Sequence, residues 1–136
     1  YNIIFAWDEL KSIADTDLGA ARDRLMDIMC NYQGYRDMNL ILVFDAYKVA
    51  GNPGEAFDYH NIHIVYTKEA QTADQYIEKF VHETGKTYDI TVATSDGLEQ
   101  LIVMCAGATR LSARNLLEEV EYMEQELREK YLKQDE

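Results

Sequence analysis

The chain has 136 residues, of which 47% are hydrophobic, 11% are aromatic and only one is proline. This length and composition suit one buried core, which excludes two independent catalytic domains and an intrinsically disordered chain. The 25 acidic and 13 basic residues give a net charge of −12, and this charge alone argues against a partner held by a broad basic surface, such as duplex DNA or an anionic membrane.

The negative charge is unevenly distributed along the chain. Positions 118–136 contain eight acidic and three basic residues, so five of the twelve excess negative charges lie in this tail. The remaining body is only moderately acidic, and the charge argument against a nucleic-acid partner is correspondingly weaker there.

The first third of the chain predicts a strand, a loop, a helix and a second strand. Residues 1–5 (YNIIF) have the pattern of a strand already under way, and since the chain opens without methionine we expect residues to be missing before it. Residues 8–17 are polar and predict a loop, whereas apolar residues three or four apart predict a helix over 18–35. The apolar run 39–45 (NLILVFD) is typical of a strand buried in a parallel sheet.

The rest of the chain alternates between the two kinds of element. Glycine and proline at 51–54 predict a turn. The pattern then predicts strands over 61–67, 88–94 and 108–111, and helices over 72–84, 95–106 and from 112 to about 131. Alternation of this kind predicts a single α/β domain, a three-layer sandwich with a central, mainly parallel sheet.

The cysteines and histidines do not form a recognisable metal motif. Cys30 and Cys105 each lie among apolar residues, so we expect buried, reduced thiols, as in a cytoplasmic protein. His60 and His63 are three apart in a predicted strand, where they point to opposite faces, and we expect them at the surface. The sequence contains no His-Glu-x-x-His or Cys-x-x-Cys pattern, so zinc is not expected. No apolar run approaches the roughly 18 residues of a membrane span, and no signal peptide is visible.

Charged residues follow three of the predicted strands. Asp45 ends the second strand, Lys68 and Glu69 follow the third, Asp96 follows the fourth, and Asp74 lies in the first turn of the helix between the last two. Because ligands bind beyond the carboxyl ends of parallel strands, we expect the three aspartates to converge. Gathered carboxylates repel one another unless a cation intervenes, and Mg²⁺ or Mn²⁺ takes such oxygen ligands. This pattern indicates metal-dependent phosphodiester hydrolysis.

Each of these acids also has an ordinary structural interpretation. Asp45 would start a turn, Asp74 would be a first-turn acid stabilised by the helix dipole, and Asp96 would cap a helix. Glu78 and Glu99 follow Asp74 and Asp96 by four and three residues and would lie on the same helix faces, Glu99 being the better ligand candidate. Alternatively, Glu78 would pair with exposed lysines and Glu99 would accept from a backbone amide. The residues alone leave the metal-binding and the structural interpretations open.

Five blocks of the sequence resemble one known family. They are residues 1–4 (YNII), 43–47 (VFDAY), 67–79 (TKEAQTADQYIEK), 92–100 (VATSDGLEQ) and 107–114 (GATRLSAR). Together they resemble the YacP-like NYN family, a branch of the PIN-domain ribonucleases, over nearly the whole chain. The Thr-Ala-Asp and Thr-Ser-Asp blocks, in this order and at this separation, are the specific part of the resemblance.

The resemblance implies a PIN-like fold and a metal-dependent endoribonuclease that cuts messenger RNA in association with the translating ribosome. Carried over by motif, the catalytic acids are Asp74, Asp96, Asp45 and Glu99, and the first three would hold Mg²⁺ or Mn²⁺. Family members open with a Val-Asp-Gly-Tyr-Asn block, whose aspartate would precede Tyr1, and they carry a longer, more basic tail. We therefore expect one NYN domain trimmed at both ends, with activity impaired by the missing acid.

An RNA substrate also needs cationic contacts. Lys48, Lys68, Arg110 and Arg114 are the candidates for phosphate contacts, although Arg114 alternatively pairs with Glu118 one helical turn away. Because the net charge is −12, we expect placement on RNA to depend on the metal and on a partner such as the ribosome.

Two other functions fit parts of the pattern. A non-catalytic PIN-like module would dock on RNA or the ribosome through basic and aromatic residues, including a base stacked on Tyr47, and its acids would be structural. A phosphoacceptor domain modified at Asp45 would use a strand-end aspartate but would leave Asp74 without a role. Cleavage with Mn²⁺ or Mg²⁺, compared with EDTA, by a chain restored at its N-terminus separates catalysis from docking.

Overall fold

A computed structural model of the chain describes residues 1–45, 55–68 and 70–134. The helices are α1 (Asn2–Ala6), α2 (Asp8–Thr16), α3 (Leu18–Arg36), α4 (Ala73–Thr84), α5 (Gly97–Cys105) and α6 (Ala113–Gln134). The strands are β1 (Ile41–Phe44), β2 (Ala56–Tyr59), β3 (Ile62–Tyr66), β4 (Thr91–Thr94) and β5 (Thr109–Ser112). The predicted α/β class is confirmed. The turn predicted at 51–54 lies outside the described residues, as do Tyr47, Lys48 and Glu69.

The strands of the described segments hydrogen-bond in two sheets. β1 and β3 run parallel, with Phe44 opposite Tyr66, and β2 joins the other edge of β3 as an antiparallel hairpin. β4 and β5 run parallel, with Thr94 opposite Ser112. Two of the three pairings are therefore parallel, as the sequence predicts. β2 was not predicted, because this edge strand is mostly exposed and lacks the apolar run of a buried strand.

The beginning of the chain is helical, so the strand predicted at 1–5 and the loop predicted at 8–17 are both wrong. The helical turn of α1 buries Ile3 and Ile4 in the same cluster as Trp7 and Leu10, whereas a strand would send the two isoleucines to opposite faces. Trp7 Nε1 also donates a hydrogen bond to the carbonyl of Ala113 at 2.8 Å, which joins the first turns of the chain to the start of α6. Tertiary burial thus decided a pattern that is too short to separate strand from helix by itself.

Two hydrophobic clusters hold the elements together. The larger joins the first three helices to β1, β3 and α6, and its largest fully buried side chains are Ile4, Leu10, Leu25, Phe44, Ile64 and Met123. The smaller, formed by Val81, Val92, Val103 and Ala108, packs α4 and α5 against the β4–β5 sheet. Hydrophobic packing against the β4–β5 sheet therefore fixes the two helices that carry Asp74 and Glu99.

Of the cysteines and histidines predicted from the sequence, Cys30 packs against the larger cluster, whereas Cys105 and His60 are exposed. Both thiols are free, but the burial predicted for them is wrong for Cys105, which lies on the solvent side of α5, while Cys30 is half-buried. His60 is exposed in the turn of the β2–β3 hairpin, and His63 Nδ1 lies 2.8 Å from Asp58 Oδ1 on the neighbouring strand.

Among the helices in the described ranges, none is both long enough and apolar enough to cross a membrane.

Candidate metal-binding active site

The end of β1 is joined to the start of α4 through Asp45. Thr72 begins α4 with a capping box, in which its hydroxyl accepts from Gln75 N at 3.1 Å and the Gln75 side chain accepts from Thr72 N at 3.0 Å. Asp45 Oδ1 accepts from Ala73 N at 2.5 Å, which satisfies another amide of the first helical turn. This contact fixes Asp45 beside the turn that carries Asp74.

Asp74 lies where several carboxylates act on one another. Burial raises the pKa of its carboxyl, and the negative charges of Asp96, Asp45 and Glu78 raise it further. The convergence of the three aspartates expected at the strand ends is therefore observed. Glu78 reaches the same cluster, in keeping with its position one turn after Asp74.

Asp96 is the N-cap of α5. Its Oδ1 accepts hydrogen bonds from Leu98 N at 2.9 Å and from Glu99 N at 3.4 Å. The structural role that the sequence offered for Asp96 is thus present, and it coexists with a position in the acidic cluster. The cap also fixes the first turn of α5, from which the Glu99 side chain projects.

Asn2 holds the loop that carries Asp96, and sequence reasoning gave it no such role. Its Nδ2 donates to Thr94 Oγ1 at 2.9 Å, and its Oδ1 accepts from Ser95 N at 3.3 Å. Thr94 Oγ1 in turn accepts from Asp96 N at 3.2 Å, and Gln100 Nε2 donates to the Thr94 carbonyl at 2.9 Å. The two bonds of Asn2 join residues more than 90 positions apart, so no local pattern could have marked this residue.

Glu99 is the most buried acid of the cluster, with 3% of its surface exposed. Its pKa is raised to about 8. Burial is the largest cause, and a hydrogen bond with Glu78 and the negative charge of Asp74 raise the pKa further. At neutral pH the Glu78–Glu99 pair therefore retains a proton. Within the part of the chain that the structure describes, the buried Oε1 of Glu99 has no hydrogen-bond partner.

The donor chemistry of the cluster fits a hard divalent cation. The atoms of the cluster that could bind a metal are all carboxyl oxygens. Glu99 Oε1 is buried without a hydrogen-bond partner in the described residues, and a bound cation would satisfy such an atom. However, no group of three or more acidic, histidine or cysteine side chains in the described ranges is arranged closely enough to hold a metal ion. Asp45 and Asp96 each direct one oxygen to a helix amide instead. The acids converge in position without forming a closed ligand set.

The predicted phosphate contacts are spread around this edge. Lys68 lies two residues past the end of β3, and Arg114 lies two residues past the end of β5, which runs parallel to β4. Arg114 Nε is 3.6 Å from Glu118 Oε1, so the alternative pairing is present, but its side chain is 88% exposed and such pairs are weak. Arg110 is exposed within β5, and Lys48 lies outside the described residues.

Comparisons with known proteins agree with this architecture. A family model described as the YacP-like NYN domain matches residues 1–136, which confirms the resemblance noted in the sequence. The uncharacterized protein YacP of Bacillus subtilis (strain 168) is 41% identical over 128 residues, which cover 93% of this chain and 75% of that protein. Two crystal structures of Rae1 (YacP) from Bacillus subtilis, one of them a mutant, are similar to this chain. The structure without the mutation matches with a TM-score of 0.83 at 40% sequence identity, and the match covers 98% of this chain and 76% of that chain. The mutant structure matches with a TM-score of 0.84 at 38% sequence identity, and the match covers 98% of this chain and 78% of that chain.

Proposed function

Because the chain belongs to the YacP-like NYN family, we propose that it is a metal-dependent endoribonuclease that cleaves messenger RNA in association with the translating ribosome. The family has a nuclease-like fold, which supports a hydrolase acting on RNA. The observation that carries the proposal is the crowding of Asp74 by three other carboxylates, because charges of one sign gathered at a strand edge are typical of a site completed by a cation.

We assign Asp74, Asp96 and Asp45 as the ligands of Mg²⁺ or Mn²⁺, with Glu99 as a fourth catalytic acid. Such a cation, when bound, neutralises charge on the phosphodiester and lowers the pKa of a water molecule. The protein's own contribution is to hold Asp45 against α4 and Asp96 at the start of α5. Glu99 keeps a proton on its carboxyl at neutral pH, which suits it to protonate a leaving oxygen.

The basic residues supply the contacts to RNA. We propose that Lys48, Lys68, Arg110 and Arg114 contact phosphates, which position a strand without reading its sequence. Since the chain carries a net charge of −12, these contacts are few, and the cation and the ribosome provide the rest of the placement. A cytoplasmic location follows from this role.

The test is cleavage of ribosome-engaged and free messenger RNA with Mn²⁺ or Mg²⁺, compared with EDTA. Asp96→Asn keeps an oxygen that caps α5 but loses the charge, and Asp74→Asn removes the charge of an acid in the first turn of α4 without touching the Thr72 cap. Each substitution is expected to lower cleavage about 100-fold or more, because it removes charge that the reaction requires. Asp15→Asn, at an exposed position of α2, serves as the matched control and keeps full activity.

Full activity in both site variants would overturn the assignment of these residues. Cleavage that is equally fast in EDTA would overturn the metal dependence. RNA or ribosome binding without cleavage under any of the metal conditions, by a chain restored at its N-terminus, would identify a non-catalytic docking module instead.

A further inference from the structure

An open cleft lies on the outer side of α4 and combines two lysines with two aromatic rings. Its volume is about 460 Å³, and it lies between α4 and the segment that leads into it from β3. Lys68 contributes from that segment, and Tyr76, Lys79 and Phe80 contribute from the helix. Both rings are half-buried and both lysines are exposed, so flat apolar surface and positive charge are presented together.

The cleft begins within one helical turn of the acidic cluster. The amide of Thr67 donates to the Phe44 carbonyl at 3.0 Å, so Lys68 and Asp45, the next residues along, leave neighbouring strand ends. Tyr76 is three residues after Ala73, whose amide is held by Asp45, and Phe80 is one turn further on. The helical spacing places the two rings on the side of α4 away from Asp74, so a strand passing from the acids to the cleft must cross the helix N-terminus.

We propose that this cleft binds a single-stranded segment of RNA flanking the cleaved bond, with an unpaired base against Tyr76 and Phe80 and phosphates at Lys68 and Lys79. The inference rests on the proposed ribonuclease function and names the form of its substrate. Charge complementarity favours this occupant, because two exposed cations stand out on a chain of net charge −12. Stacking requires an unpaired base, so the cleft favours single strands over duplexes.

One contact in the cleft works against the proposal. Glu83 lines the same cleft, and its Oε1 lies 4.0 Å from Lys79 Nζ. This pair is exposed and long, so it is weak, and a phosphate can compete for the lysine. We therefore expect the cleft alone to bind RNA weakly and to depend on the acidic site and the ribosome for placement.

The experiment follows backbone amide NMR shifts of the full chain as a four-uridine RNA strand is added in EDTA. The shifts are expected at α4 and the segment before it, and Tyr76→Leu or Phe80→Leu is expected to weaken binding about fivefold or more. Tyr76→Phe keeps the ring and should bind like the unmodified chain, which separates stacking from a folding defect. Tyr131→Leu, a 68% exposed tyrosine on α6, is the matched control and should change nothing.

A second pair of variants tests the charge. Lys79→Gln should weaken binding and reduce its salt dependence, whereas Lys86→Gln, an exposed lysine beyond the end of α4, should do neither. A stable hairpin duplex that holds the four uridines in its stem should bind more weakly than the single strand.

The proposal is overturned if the strand causes no shifts, if the shifts lie elsewhere, if Tyr76→Leu and Phe80→Leu bind like the unmodified chain, or if the duplex binds as well. These outcomes are independent of cleavage, because the titration contains no divalent metal. Loss of cleavage in Asp96→Asn together with an unaffected cleft titration would support both proposals. Absence of cleavage in a chain that carries the family's opening block upstream of Tyr1 would instead count against the ribonuclease function, whatever the titration shows.

Discussion

At the scale of single residues, the acidic cluster combines structural and chemical roles in the same side chains. Asp45 and Asp96 satisfy amides at the first turns of α4 and α5, and this is how they come to lie near Asp74. Glu99 differs from them, since it is buried and keeps a proton shared with Glu78. A group buried in this way costs folding free energy when it ionises, so its presence is better explained by function than by stability.

The pKa of Glu99 predicts how stability depends on pH. The folded chain holds this proton up to about pH 8, whereas an unfolded glutamate releases it at its ordinary value of 4.5. Between these values the unfolded state binds fewer protons, so the free energy of unfolding falls as the pH rises. Glu99→Gln should therefore be more stable than the unmodified chain at about pH 8, by about 1–3 kcal/mol, and similar to it at about pH 4.

Urea denaturation at the two pH values, without divalent metal, measures this difference. Glu121→Gln, at an exposed site on α6, is the control and should leave the pH dependence unchanged. If Glu99→Gln raised the free energy of unfolding equally at both pH values, the effect would not arise from the proton on buried Glu99.

At the scale of elements, the site is organised by the beginnings of α4 and α5. Both helices pack through the small cluster of Val81, Val92, Val103 and Ala108, which fixes their relative position on the β4–β5 sheet. Their first turns are held by side-chain caps, and the acids lie in or beside those turns. Moving either helix start would therefore move an acid.

Removal of the capping box tests this dependence. Thr72→Ala loses the hydroxyl that accepts from Gln75 N, and it should lower the free energy of unfolding by about 0.5–2 kcal/mol. Cleavage should also fall, since the first turn of α4 carries Asp74. Thr72→Ser keeps the acceptor and should retain most of both properties. Denaturation and cleavage assays on the two variants measure the effect, and identical behaviour of Ala and Ser would show that the cap does not hold the site.

At the scale of the whole molecule, the charge of −12 has two origins with different consequences. Part of it lies in the acidic C-terminal tail, and part is concentrated among carboxylates that raise one another's affinity for protons or cations. Repulsion within the second group lowers the stability of the folded chain. Any cation that binds only the folded state relieves this repulsion and stabilises the fold by mass action.

Cation binding should therefore raise the melting temperature. Millimolar Mn²⁺ or Mg²⁺ is expected to raise Tm by about 3 °C or more relative to a monovalent salt of equal ionic strength. The shift should be lost in Asp74→Asn and kept in Asp15→Asn, as measured by calorimetry with EDTA as the reference. A shift of the same size in Asp74→Asn would mean that the cation binds elsewhere, for example along the acidic tail.

The sequence by itself determined the features that depend on neighbours in the chain. Apolar runs, helical spacing and caps predicted α3, α4, α5, α6 and four of the five strands, because these patterns act over one or two turns. The strand-end rule predicted the convergence of Asp45, Asp74 and Asp96, and the motif blocks predicted the family.

Only the tertiary structure decided what depends on distant contacts. The helix at 2–6 forms because its apolar side chains are buried against α6 and the core. The local residue pattern over 1–5 was equally compatible with a strand. The role of Asn2 and the shared proton of Glu78 and Glu99 arise across elements far apart in the chain. Burial and long-range hydrogen bonds set these properties, and a local pattern of residue types carries no information about either.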